Sequence, residues 1–141
     1  MRKIDNLFSR YGESHRNPTN KAIHWICVPL ITWSLLAALW AWTPIAAYVL
    51  IAVAVAFYVS LSLPIAIGML LVSGFIVLTL TVVTEHLLIV AIVVFAAAWI
   101  GQFIGHKIEG KKPSFFEDIK FLLIGPAWLL GFVYRRLGIT Y

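Results

Sequence analysis

Along this chain, apolar and polar positions fall into long blocks rather than the short alternation of a soluble fold. A polar, basic lead-in over residues 1–21 ends in Ser14-His15-Arg16-Asn17-Pro18-Thr19-Asn20-Lys21, and an apolar stretch then runs to about Trp42. Thr43-Pro44 restarts the chain for a second stretch to about Leu61. Ser62-Leu63-Pro64 opens a third to about Thr84, and a fourth covers Leu87 to about Phe103. The first three stretches, of roughly 18–22 residues, suffice to cross a hydrocarbon core of about 30 Å at 1.5 Å per residue, and the fourth is about as long. Asn17 before Pro18 reads as a helix start, because Asn can cap free amides and Pro at the first helical position loses nothing. Pro29 removes one donor inside the first span and predicts a kink about one turn beyond His24. The pattern predicts an all-α integral membrane helical bundle, a single domain over residues 1–141 with four transmembrane helices over about residues 22–106.

The last third reads differently. Ser114-Phe115-Phe116-Glu117 has the S-x-x-E form of a capping box and predicts a helix start. Phe121 to Tyr134 is apolar but short, and Gly125-Pro126 interrupts it. At 14 residues the stretch is short for a span, and whether it crosses or only dips is left open by the sequence; the pattern predicts a C-terminal interfacial or re-entrant helix within a cytoplasmic segment, residues 107–141.

Charge placement supports a lipid environment. Between Ala22 and His106 the only formally charged residue is Glu85, and all 11 Lys and Arg lie outside that stretch. The chain is 62% hydrophobic and 12% charged, against about 25% charged in soluble domains. A net charge of +5 could suggest nucleic acid, but the basic residues bracket apolar segments instead of forming a face with a recognisable module. By the positive-inside rule they put both ends on the cytoplasmic side, and the expected location is a bacterial inner membrane. Trp25, Trp40 and Trp42 are placed like interfacial anchors. Cys27 is alone, so no disulfide framework exists, and no cleavable signal sequence is evident. No oligomeric state follows from the sequence.

The histidines carry the candidate chemistry. His15 and His24 flank the start of the first span and His106 ends the fourth, so the predicted topology brings these three to one membrane face, where neutral imidazoles can bind a transition metal. Glu109 follows His106 by three residues and offers a carboxylate as a fourth ligand or supporting group. Asn17, Asn20 and Gln102 are candidates to orient the imidazoles, Gln102 especially, being one turn before His106. Their alternative roles are capping for the asparagines and an interhelical hydrogen bond for Gln102. His86, beside Glu85 in the predicted turn between spans three and four, belongs to the opposite face. Gly-rich phosphate loops, paired cysteines and nucleophile elbows are absent, and Glu13-Ser14-His15 is mere sequence adjacency.

His15-Arg16-Asn17-Pro18-Thr19-Asn20-Lys21-Ala22-Ile23-His24 with Val28-Pro29, and Gln102-Phe103-Ile104-Gly105-His106 with Glu109 and Lys111-Lys112-Pro113, resemble the two motifs of a family of small membrane proteins. That family includes a fungal iron(II)-dependent dioxygenase that removes one carbon from 2-hydroxy fatty acids in the metabolism of phytosphingosine. The resemblance implies that His15, His24 and His106 are both the catalytic centre and the ligands of Fe2+, with a 2-hydroxy fatty acid and O2 as substrates. A haem-binding electron carrier with two axial histidines and a non-catalytic lipid-binding membrane protein are the alternatives that the residues leave open.

Overall fold

A computed structural model describes residues 2–83 and 85–141; Thr84, the expected end of the third span, lies outside the described residues. Six α-helices follow in order, α1 (Lys3–Glu13), α2 (Pro18–Trp42), α3 (Pro44–Val59), α4 (Leu63–Val82), α5 (Leu87–Glu109) and α6 (Phe121–Leu137), with one 3-10 turn at Ser114–Phe116. No strand occurs among the described residues. α2, α4 and α5 are long and apolar enough to cross a membrane, which marks the chain as a membrane protein. α3 is equally apolar but has 16 residues, about 24 Å at the helical rise. Against the expectation of four spans, three helices have the length and apolarity to cross, and α3 is a shorter apolar helix.

The predicted boundaries follow from local chemistry. The Asn17 side chain accepts from the backbone N–H groups of Thr19 and Asn20, and Pro18 occupies the first turn. Thr43 is extended (φ −157°, ψ 132°), the conformation favoured before a proline, and separates α2 from α3. Ser62 caps α4 through Ile65 N–H. α5 runs beyond Phe103 to Glu109 and ends at Gly110, whose φ of 78° lets the chain close against the His106 carbonyl. α2 continues unbroken through Pro29.

Three expectations need correction. The lead-in is not simply polar: Ile4, Leu7, Phe8 and Tyr11, at helical spacing, form the buried face of α1, packed on α6. Ser114 does not open a capped helix; it begins a three-residue 3-10 turn and makes no side-chain cap, because Glu117 already leaves the turn and the helix starts only at Phe121. Gly125-Pro126 does not interrupt α6. Proline inside a helix costs about 3 kcal/mol, but α6 buries Phe121, Ile124, Ala127, Trp128 and Leu129, each worth about 1.5–3 kcal/mol when large and apolar, so packing prevails.

α2 and α5 form the most extensive helix pair. Gly101 and Gly105 make this possible: a Cβ on Gly101 would meet Cys27 Sγ, and one on Gly105 would meet the amide of Asn20. Small residues four apart let two helix backbones approach closely. α3 and α4 form a hairpin beside them. α6 lies across the turn of that hairpin, with Tyr58 OH donating to the Leu123 carbonyl (2.6 Å) and Tyr134 OH to the Pro64 carbonyl (2.7 Å). The remaining faces of α2 to α5 expose Val53, Leu71, Phe75, Ile92 and Val93, the surface a lipid solvent requires.

Candidate metal centre

His15, His24 and His106 converge at the end of the α2–α5 pair that α1 and α6 cover. His24 is on the second turn of α2, His106 on the last turn of α5, and His15 in the short link between α1 and α2. All three are buried, at 1%, 0% and 5% exposure. Their ring centroids are 4.2–4.9 Å apart and their planes nearly perpendicular. One ligand nitrogen from each lies within 4.8 Å of the others, so small ring movements would bring all three to the metal–nitrogen distance of about 2 Å.

Backbone carbonyls fix the proton positions. His15 Nδ1–H donates to the Tyr11 carbonyl (2.6 Å) and His24 Nδ1–H to the Asn20 carbonyl (2.9 Å), each four residues earlier. With Nδ1 protonated, Nε2 of both rings carries the free lone pair. These two nitrogens and His106 Nδ1 are buried and have no hydrogen-bond partner among the described residues. Three unpartnered nitrogens on three adjoining buried rings would be costly in a purely structural cluster; a metal ion would satisfy them together, and an N–H held by a carbonyl is the usual support for a ligating imidazole. Burial, reinforced by His24, lowers the His15 pKa to about 3, so this ring is neutral at physiological pH. Tyr11 stacks on His15 (4.1 Å, 13°) and Trp128 closes over both rings.

The other candidates occupy supporting positions. Glu109 is not among the clustered ligand groups. Its Oε1 accepts from Asn17 N–H (2.8 Å) and from Asn20 Nδ2 (3.1 Å), tying the end of α5 to the start of α2. Asn20, fully buried, also donates to the Ser14 carbonyl (3.1 Å) and thus holds the link that carries His15. Gln102 bonds to none of the imidazoles; it lines a chamber of about 50 Å³ with His15, His106, Trp99 and Ser114. His86 is exposed at the opposite end of α5 with φ of 53°, about 30 Å from His106 along the helix. The carbonyl anchors of Tyr11 and Asn20, the pairing of Gly101 with Gly105 and the chamber residue Trp99 were not singled out from the sequence, and Ser114 was read there only as a helix cap. The G-x-x-x-G spacing of Gly101 and Gly105 was the available signal.

The fold and site together define a membrane-embedded helical protein with a buried three-histidine pocket. Residues 1–62 and 64–137 match the family model described as 2-hydroxy-palmitic acid dioxygenase Mpo1-like, and the chain belongs to this Mpo1-like family. Searches of curated proteins and of solved structures return no match.

Proposed function

We propose that this protein is a membrane-embedded iron(II)-dependent dioxygenase that shortens 2-hydroxy fatty acids by one carbon. The observation that carries the reading is the trio of unpartnered imidazole nitrogens, in a chain whose family is described by a dioxygenase acting on 2-hydroxy-palmitic acid. Three imidazoles by themselves suit several divalent ions; the dioxygenase named in the family's description favours iron(II), which supports O2 chemistry at open-sited non-haem centres. His15, His24 and His106 would hold the ion, and three protein ligands leave positions open for a chelating substrate and O2. Bound iron would supply the activation of O2.

The chain's own contributions are positional. The Tyr11 and Asn20 carbonyls fix two ring orientations, and the Glu109 carboxylate keeps both motifs in register. The chamber of about 50 Å³ holds only a few water-sized groups. That suits the head of a 2-hydroxy acid, whereas a haem would have to prise α2 from α5. Four crossings, with α3 as the short one accommodated by local thinning of the bilayer, and both termini in the cytoplasm of a bacterium complete the reading.

The test is iron content together with turnover of 2-hydroxypalmitate in detergent. His15→Ala, His24→Ala and His106→Ala are each expected to lose both. His86→Ala should keep both within about twofold, because a crossing of about 30 Å separates it from ligands bonded at about 2 Å. Loss of both in His86→Ala with retention in His24→Ala would refute the centre.

A further inference from the structure

A second, larger cavity adjoins the histidine chamber. It has a volume of about 340 Å³ and runs between α2, α3, α4, α5 and α6, within the usual range for small-molecule sites. The two spaces share Ile31, Thr32, Trp99, Leu122 and Pro126 as walls. From there the cavity extends to Leu36 on α2, Leu50 and Ile51 on α3 and Phe95 on α5. Leu36 is twelve residues beyond His24 on one helix, about 18 Å at 1.5 Å per residue. One leaflet of a bilayer is about half of 30 Å thick, so the far wall of the cavity lies about as far from His24 as a membrane acyl chain extends.

The polar groups divide sharply between the two spaces. Each hydroxyl lining the large cavity donates to a backbone carbonyl: Thr32 to Val28 (2.9 Å), Ser73 to Met69 (2.8 Å) and Tyr58 to Leu123 (2.6 Å). Beyond the wall it shares with the chamber, where Trp99 stands, no lining side chain of the large cavity is a buried donor or acceptor without a partner. In the small chamber the Ser114 hydroxyl is buried and unpartnered, as are His15 Nε2 and His106 Nδ1, and the indole N–H of Trp99 in the shared wall is unpartnered too. A molecule with a hydrogen-bonding head and an apolar tail matches this division; a wholly polar or wholly apolar ligand does not.

We propose that the large cavity holds the acyl chain of the substrate, threaded past Trp99 from the histidine chamber, and that Leu36, Leu50 and Ile51 at its far end set the accepted chain length. This rests on the function proposed above. A groove of about 440 Å³ between α2, α4 and α6, lined by Val72 and Leu130, is the competing route; it shares fewer walls with the chamber and lies between fewer helices.

The experiment uses full-length, iron-loaded protein and a 2-hydroxy fatty acid carrying a diazirine at its tail, with photolabelled residues mapped by mass spectrometry. Labelling at Leu36, Leu50 or Ile51 is expected. Alongside, Ala54→Trp, in the cavity wall, should reduce turnover of 2-hydroxypalmitate at least tenfold while sparing short 2-hydroxy acids, and Val72→Trp should leave that ratio unchanged. Labelling within the cavity without any shortening of the acid would sink the reaction but uphold the cavity as the chain site. Shortening accompanied by labelling at Val72 or Leu130, or by no labelling of the cavity wall, would overturn the assignment, whether or not Ala54→Trp folds.

Discussion

His15 shows how much a single residue's surroundings decide. Its ring is pinned by the Tyr11 carbonyl, stacked on the Tyr11 ring and buried beside two other imidazoles. Its pKa falls to about 3 in the folded protein, against about 6.5 in an unfolded chain. The folded value is the lower one, so below pH 6.5 the unfolded state takes up a proton that the folded state refuses. Stability of the metal-free protein should therefore be flat above about pH 6.5 and fall from there towards pH 3, by at most about 1.4 kcal/mol per pH unit from this group. Thermal unfolding in detergent between pH 7 and 4 measures it, and His15→Ala should flatten the slope; equal slopes would show that His15 is not the titrating group. The three ligand candidates were legible because residue type and position at span ends are sequence properties. Their carbonyl anchors were not, because a backbone acceptor four residues earlier has no side-chain signature.

At the scale of elements, the α2–α5 pair decides whether the site exists. Gly105 sets Asn20 against the α5 backbone, and Asn20 in turn holds Glu109, the Ser14 carbonyl and, through its own carbonyl, His24. Gly105→Ala has no room beside this fixed amide and should cost about 1–3 kcal/mol, and on the proposed function the iron content of the purified protein should fall with it. Gly74 on α4 has nothing within 4 Å of an added Cβ, so Gly74→Ala should be neutral or stabilising by up to about 1 kcal/mol. Unfolding midpoints of the two variants check the contrast, and equal midpoints would remove the close-packing argument. The capped and proline-marked ends of α2, α3 and α4 were readable because Asn17, Pro18, Thr43, Pro44 and Ser62 restrict the backbone locally. α1 was missed although Ile4, Leu7, Phe8 and Tyr11 carry its period, because seven polar or small neighbours dominate its composition. The continuity of α6 could not be read either, since the packing that outweighs Pro126 comes from α1 and α4.

For the whole molecule, charge placement and site placement make the same demand. The basic residues before α2 and after α5 fall at the end where the histidines meet, and Glu85 and His86 are exposed at the other. In intact cells, Lys111→Cys should resist a membrane-impermeant maleimide and Glu85→Cys should react, with the native Cys27 buried and silent. Rapid labelling at position 111 with none at position 85 would invert the bundle. The large cavity was beyond the sequence for a different reason: five helices contribute its walls, and none of them has a periodic pattern pointing at it.

The union of α2 with α5 also constrains how the protein is made. A chain synthesised from its N-terminus delivers α2 to the membrane first and α5 last among the long apolar helices, with the α3–α4 hairpin between them. Until α5 arrives, Asn20 and His24 have no Glu109, Gly105 or His106 to meet, and a buried amide and imidazole stand on a helix whose surroundings are lipid or headgroups. Helices in a bilayer insert individually before they associate, so the three-histidine cluster cannot form until α5 has joined α2 and α6 has followed to cover it, and on the proposed function the loading of metal comes only after both.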